Sequence, residues 1–151
     1  MSGTRRQSRI LALQLLYQTE LDSQGGTASV ERFWKDSEAS PRARAFADRI
    51  YDSTRTNREA IDALLDMCLE HWRLGRLTVV VRSLLRLGVA EMIHLRESPP
   101  AVVIDEAVSL AREFVDEEAA GLVNGVLQEC WNRAAAGGGL AAPPVDPPPA
   151  P

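Results

Sequence analysis

The chain of 151 residues has a formal net charge of −4 and is 45% hydrophobic but only 5% aromatic. That length supports one full core, or two small subdomains sharing one, and an excess of Leu, Ala and Val over aromatics suits helix packing better than a sheet sandwich. A net-acidic chain does not coat nucleic acid or membrane by bulk charge, so any anion site must be local. The charge is uneven: residues 1–19 hold Arg5, Arg6 and Arg9 and no acid, whereas Asp105, Glu106, Glu113, Asp116, Glu117 and Glu118 crowd around Arg112.

The spacing predicts a first helix from Thr4 to about Asp22, with Ile10, Leu13, Leu16, Tyr17 and Leu21 on a broad apolar face and SQGGT as its terminator. A short second helix is expected around Val30 to Lys35, held by Phe33 and Trp34. Ser40-Pro41 opens a third, since Ser can cap and Pro is preorganised for the first helical position; Phe46, Ile50 and Tyr51 follow in phase. Thr56-Asn57-Arg58-Glu59 reads as a capping box for a helix carrying Ile61, Leu64, Leu65, Cys68, Leu69 and Trp72.

Gly75 breaks that pattern, and Thr78 is placed to cap a helix from Val79 to Leu95. This helix is apolar on nearly every side except at Arg82, Arg86 and Glu91, which marks it as the central one. Ser98-Pro99-Pro100 ends it and starts another, with Val103, Ala107, Leu110, Ala111 and Phe114 in phase. Asp116 is placed to cap a last helix that turns Ala119, Leu122, Val123, Val126, Leu127, Cys130 and Trp131 toward the core. The reading is an all-α domain over residues 1–135, followed at 136–151 by a Gly-, Pro- and Ala-rich tail expected to be disordered.

Cys68 and Cys130 are far apart in the chain and both fall in apolar phase, where a free cysteine acts as a small hydrophobe; no disulfide framework or zinc site is expected. No apolar run approaches a membrane span, and the cytoplasm is the expected compartment.

Three features carry chemistry. Arg5 and Arg9 are one helical turn apart, with Arg6 beside them and Thr4, Gln7 and Ser8 as polar company. Guanidinium groups fork onto phosphate oxygens and stack on bases, and a helix N-terminus adds backbone donors. An ordinary solvated chain start is the competing reading. Glu91-Met92-Ile93-His94 is a Glu-x-x-His, but a di-metal bundle needs a second such motif and His71 has no Glu at the required offset, so Glu91 is expected to pair with an arginine instead. Gly121 and Gly125, flanking Asn124, are small residues four apart that let a neighbouring backbone approach.

Arg86 and Glu106 each lie on an otherwise apolar helix, where a charge needs a part-buried ion-pair partner. Phosphate-loop, zinc-protease and nucleophile-elbow motifs are missing from the sequence, and neither catalysis nor a metal or cofactor is expected.

Taken in order, RRQSRILALQLLYQTE, HWRLGRLTVVVRSLLRLGVAEM, PPAVVIDEAVSLAREF and LVNGVL resemble the NusB family of bacterial transcription antitermination factors, over roughly residues 4–131. The resemblance implies two three-helix bundles around a long central helix, about seven helices in all. It implies binding of the boxA element of ribosomal RNA transcripts together with the ribosomal protein NusE, in a complex with NusA, NusG and RNA polymerase. It places RNA contacts on Arg5, Arg6, Gln7, Arg9, Glu118 and Leu122, and NusE contacts on Tyr17, Glu118 and Leu122. Trp72, Arg76, Arg86, Glu106, Asn124 and Gly125 match the family's framework positions.

Asp105 stands where the family usually has Asn, Leu122 where it has Phe, and Val81 where many members carry an acid facing NusE. Two other readings remain open on the sequence: an RNA-binding domain like that fused to ribosomal RNA cytosine methyltransferases, for which the Pro-rich tail leaves no cofactor domain, and a helical homodimer with no nucleic-acid role. Changing Arg5, Arg6 and Arg9 together to Ala is expected to weaken boxA binding tenfold or more with the helical fold intact.

Overall fold

The computed structural model describes residues 2–22, 26–71 and 73–137. Among them are seven α-helices and no strand: α1 (Ser2–Leu21), α2 (Gly26–Asp36), α3 (Pro41–Thr56), α4 (Arg58–Cys68), α5 (Val79–Val89), α6 (Pro100–Phe114) and α7 (Glu117–Ala136). Helices α1, α2 and α3 pack as one group and α4, α6 and α7 as another, and α5 lies between them, touching α1 and α3 on one side and α4, α6 and α7 on the other. Two three-helix bundles therefore share the central helix that its apolar composition marked out. Trp72, and the tail from residue 138 onward, fall outside the described residues.

Three of the helix starts are explained by single residues. The hydroxyl of Ser40 accepts from Ala43 N–H at 3.2 Å, Thr78 Oγ1 from Val81 N–H at 3.4 Å and Asp116 Oδ1 from Ala119 N–H at 2.8 Å, each satisfying a donor with no partner inside its helix. The capping box at Thr56 does not form. Helix α3 continues through Thr56, and Asn57 alone joins it to α4, its Nδ2 donating back to Ser53 O at 2.8 Å instead of capping forward. Helix α4 ends at Cys68, short of the stripe drawn through Trp72, and α2 is longer than expected, running from Gly26 to Asp36 around a buried Trp34 in edge contact with Phe33.

The central helix changes pitch part-way. After Val89 it continues as a π-helical turn over Ala90–Leu95 and stops at Arg96, whose left-handed φ of 58° turns the chain toward Pro99-Pro100. A π turn carries one extra residue and so rotates the side chains beyond it relative to an α-helix; Glu91, near its start, is buried at 3% exposure.

The close backbone approach also lies elsewhere than expected. A Cβ on Gly121 or Gly125 would meet nothing within 4 Å, and both glycines are exposed, as is Asn124. It is Gly88 on α5 that is pressed from outside: a Cβ there would lie 2.8 Å from a methyl of Leu127 on α7. Cys68 and Cys130 meet across the α4–α7 contact as hydrogen-bonded free thiols; burial raises both above the ordinary thiol value, Cys130 the more strongly.

Arg86, 5% exposed on α5, is satisfied from two elements. Its Nε and Nη2 meet Asp62 of α4 at 2.8 and 3.1 Å, and its Nη1 meets Glu20 of α1 at 3.0 Å; Arg82 also binds Glu20, at 2.9 Å. This network ties both bundles to the central helix. Burial alone would raise the Glu20 carboxyl, but the hydrogen bond from Arg82 and the charges of Arg86 and Arg82 outweigh it and hold Glu20 below its ordinary value.

A carboxyl depressed in the folded state contributes stability that is full above its unfolded pKa and is lost as the pH falls through the folded one. The thermal midpoint is therefore expected to drop on acidification below the ordinary carboxylate range, and Glu20→Gln to be less stable at neutral pH with a flatter acid limb. Equal acid limbs in calorimetric scans of the two proteins would remove Glu20 from the effect.

Candidate nucleic-acid interface

The three arginines of the α1 N-terminal turns do not form one open cluster; each is held differently. Arg9 is 7% exposed and points into the protein. Its Nε and Nη2 form a bidentate pair with Glu91 at 2.8 and 2.5 Å, and Nη2 also reaches Ser98 Oγ at 3.2 Å. Burial would pull Arg9 down, but the hydrogen bonds and charge of Glu91 more than offset this and hold the guanidinium above its ordinary value. Glu91 of the Glu-x-x-His thus has an arginine for a partner, and among the described residues no group of three or more His, Cys, Asp or Glu is placed to hold a metal.

Arg5 is half-buried. It donates to Ser98 Oγ at 2.8 Å and Glu97 O at 3.3 Å, and its guanidinium carbon lies 4.2 Å above the Phe46 ring centroid. Burial, then the charge of Arg9, lowers its pKa. Arg49 of α3 packs on the same ring at 5.3 Å and makes a bidentate pair with Glu97 at 2.8 and 2.9 Å. Neither Phe46 nor Arg49 stands out as functional in the sequence, although Arg42, Phe46 and Arg49 recur at helical spacing and so share a face of α3.

Arg6 faces α6. It donates to Glu106 Oε2 at 3.1 Å and Ser109 Oγ at 3.2 Å, and it also pairs with Glu113. Gln7 is exposed beside it. Glu106 and Arg86 each have the ion-pair partner their positions demand, but not each other. Arg76 is exposed, with no side-chain partner among the described residues.

Beyond Arg6, the same face of α1 runs through Ile10, Leu13, Tyr17 and Leu21. The apolar face expected of this helix is divided: Leu13 and Leu16 are buried together with Ala12 and Leu15, whereas Ile10 is only half-buried and Tyr17 and Leu21 are exposed. With Phe33 of α2, Val80 of α5 and Phe114 of α6, the stripe lines an open apolar groove of about 760 Å³ that reaches down to the buried Leu13. Tyr17 is 40% and Phe114 47% exposed. Glu118 is exposed in the first turn of α7. Leu122, expected to share an interface with Tyr17, lines a separate depression with Cys68, Gly121 and Gly125. Val81 is buried in α5, its neighbour Val80 facing the groove instead.

A basic helix end continuous with an apolar groove, on an all-helical two-bundle frame, defines a class of helical binding proteins with two adjoining surfaces of different chemistry. The chain belongs to the NusB family, whose model matches residues 6–132. It is 37% identical over 125 residues to the transcription antitermination protein NusB of Sorangium cellulosum, a match covering 83% of this chain and 89% of that one. Among solved structures, it superposes on Thermotoga maritima NusB with a TM-score of 0.77 at 31% identity, over 85% of this chain and 90% of that one. It also superposes on the antitermination factors NusB and NusE in complex with dsRNA, with a TM-score of 0.76 at 28% identity, over 88% of this chain and 99% of the matched one.

Proposed function

We propose that this protein is a transcription antitermination factor that binds the boxA element of ribosomal RNA transcripts together with the ribosomal protein NusE, and so joins the RNA polymerase complex that contains NusA and NusG. It acts by association and not by catalysis, and in the cytoplasm. The observation that carries the reading is the single stripe along α1, on which Arg6 leads directly into the groove around Tyr17. RNA phosphate and a protein partner can then be held side by side by one rigid helix. The family and the NusB–NusE–dsRNA likeness support the choice of RNA and of partner.

The arginines contribute unequally. Arg6, Arg5 and the exposed Gln7 supply RNA contacts, with Arg42 and Arg49 on the neighbouring α3 face, while Arg9 is the strut that fixes α1 against Glu91. The positive potential of this edge is small because Glu91, Glu97, Glu106 and Glu113 balance most of it. RNA affinity should therefore be weak for the protein alone and strengthened by a basic partner.

Titration of labelled boxA RNA in gel shifts at fixed salt is expected to show cooperative tightening on addition of NusE. Arg6→Ala should lower RNA affinity only about two- to threefold with unchanged helicity by circular dichroism, because Glu106 and Glu113 already balance the charge it removes. Indifference of the wild-type protein to both RNA and NusE would overturn the reading.

A further inference from the structure

Of the three arginines in the N-terminal turns, Arg6 faces the groove side of α1, yet its forks are already occupied by two carboxylates of different character. Glu106, with a side chain 17% exposed, takes Nη1 together with Ser109 Oγ; Glu113, 52% exposed, takes Nη2 from the last turn of α6. A carboxylate offers a guanidinium the same two-oxygen edge as a phosphate. The inner carboxylate orients the guanidinium, and the outer one sits where an incoming anion would bind.

We propose that Glu113 is a built-in competitor for RNA phosphate at Arg6, which sets how tightly this chain holds RNA; the proposal rests on the RNA-binding reading above. RNA phosphate takes the Arg6 fork by displacing Glu113, whose exposed pairing is weak enough to exchange, while Glu106 and Ser109 keep the guanidinium in place. Each RNA bound must then release a carboxylate that lies close to the phosphate backbone, and the gain from neutralising a phosphate at this position is largely cancelled. A partner or solution condition that draws Glu113 away would strengthen RNA binding without a new contact.

The test is a fluorescence-anisotropy titration of a labelled boxA-containing RNA with the full chain, across a salt series, for wild type, Glu113→Gln, Arg6→Gln, the double variant and Asp105→Asn. Asp105 is an exposed acid on α6 that does not touch Arg6, and it reports the bulk effect of removing one negative charge. Glu113→Gln is expected to bind about three- to fivefold tighter, with a salt dependence steeper by about 0.7 in log–log slope, as for one additional neutralised phosphate on a single strand.

The gain should shrink below about twofold in the Arg6→Gln background and for Asp105→Asn. An equal gain without Arg6, an equal gain from Asp105→Asn, or no gain at all overturns the proposal while the RNA-binding reading stands. Failure of every protein, wild type included, to bind the RNA overturns both. Circular dichroism and thermal melts of each variant verify that the differences arise in folded protein.

Discussion

Glu91→Ala is expected to destabilise the protein by about 3–5 kcal/mol, the usual result of removing one member of a buried ion pair and leaving the other charge without compensation. Its partner Arg9 is 7% exposed, and the bidentate contact with Glu91 offsets the cost of burying a guanidinium that stays charged. Set against a total stability of about 5–15 kcal/mol for a domain of this kind, the loss removes from about a fifth to all of the margin and lowers the thermal midpoint accordingly. Arg9→Ala should cost a similar amount, because it strands the Glu91 carboxylate.

The combined Arg9→Met, Glu91→Leu variant should recover most of the loss, since well-packed apolar replacements of a buried pair are often neutral or stabilising. Urea denaturation midpoints of wild type, the two single variants and the combined one check this directly. The buried pairing of Arg9 with Glu91 runs against the expectation that Arg5, Arg6 and Arg9 can all be truncated with the fold intact: RNA binding lost in that triple variant is expected largely to report unfolding. An Arg9→Ala protein as stable as wild type, but unable to bind RNA, would return Arg9 to the RNA surface.

Legibility of the fold in the sequence divides along the range of the interaction. Ser40, Thr78 and Asp116 are identifiable as caps because a cap and the donor it satisfies lie within three residues, and the outcome depends on little else. At Thr56 the same local logic is too narrow. Its motif is sound, but α3 is still running when the chain reaches it, and helix continuation wins. The broad apolar face of α1 can be seen but not divided: with Ile10, Leu13, Leu15, Leu16, Tyr17 and Leu21 covering more than half the helix, periodicity alone does not say which half meets the core.

Arg9 shows the limit most clearly. Its partner is 82 residues away and is turned inward where the central helix takes up a π turn, and neither the pairing nor the change of pitch leaves a local mark. An arginine that looks like its neighbours in the sequence is then a structural strut. Gly88 is silent for a related reason, since a glycine in an apolar helix signals a close approach only once the crossing helix is known. Gly121 and Gly125 have the more familiar spacing and face open space.

The second large effect belongs to the groove. Tyr17→Asp, or Phe114→Asp, is expected to cost only about 1–2 kcal/mol of stability and to leave the protein folded, because both side chains are already about half exposed and neither belongs to the buried core. The same changes should weaken NusE binding at least about thirtyfold, the scale of truncating an aromatic anchor that costs about 2 kcal/mol or more, with a buried charge added. Binding of boxA RNA by Tyr17→Asp in the absence of NusE should change less than about twofold, since the RNA contact at Arg6 lies about three helical turns along α1 from Tyr17; Phe114→Asp, beside Glu113, adds an acid near Arg6 and is used for NusE binding only.

Titration calorimetry with NusE and gel shifts without it separate the two surfaces, and sedimentation of the free protein tests the remaining occupant. If the groove instead joins two copies of this chain, wild type will sediment as a dimer and Tyr17→Asp as a monomer with NusE affinity unchanged. If it is the NusE surface, the sedimentation coefficient will be the same for both. The physical basis of the prediction is the contrast within one helix: α1 turns Ala12, Leu15 and Leu16 inward, where their burial already holds the fold, and leaves Ile10, Tyr17 and Leu21 partly or largely open to solvent along a groove of about 760 Å³. Covering that apolar surface yields free energy that the folded monomer has not used, and it is available to whichever partner can fill it.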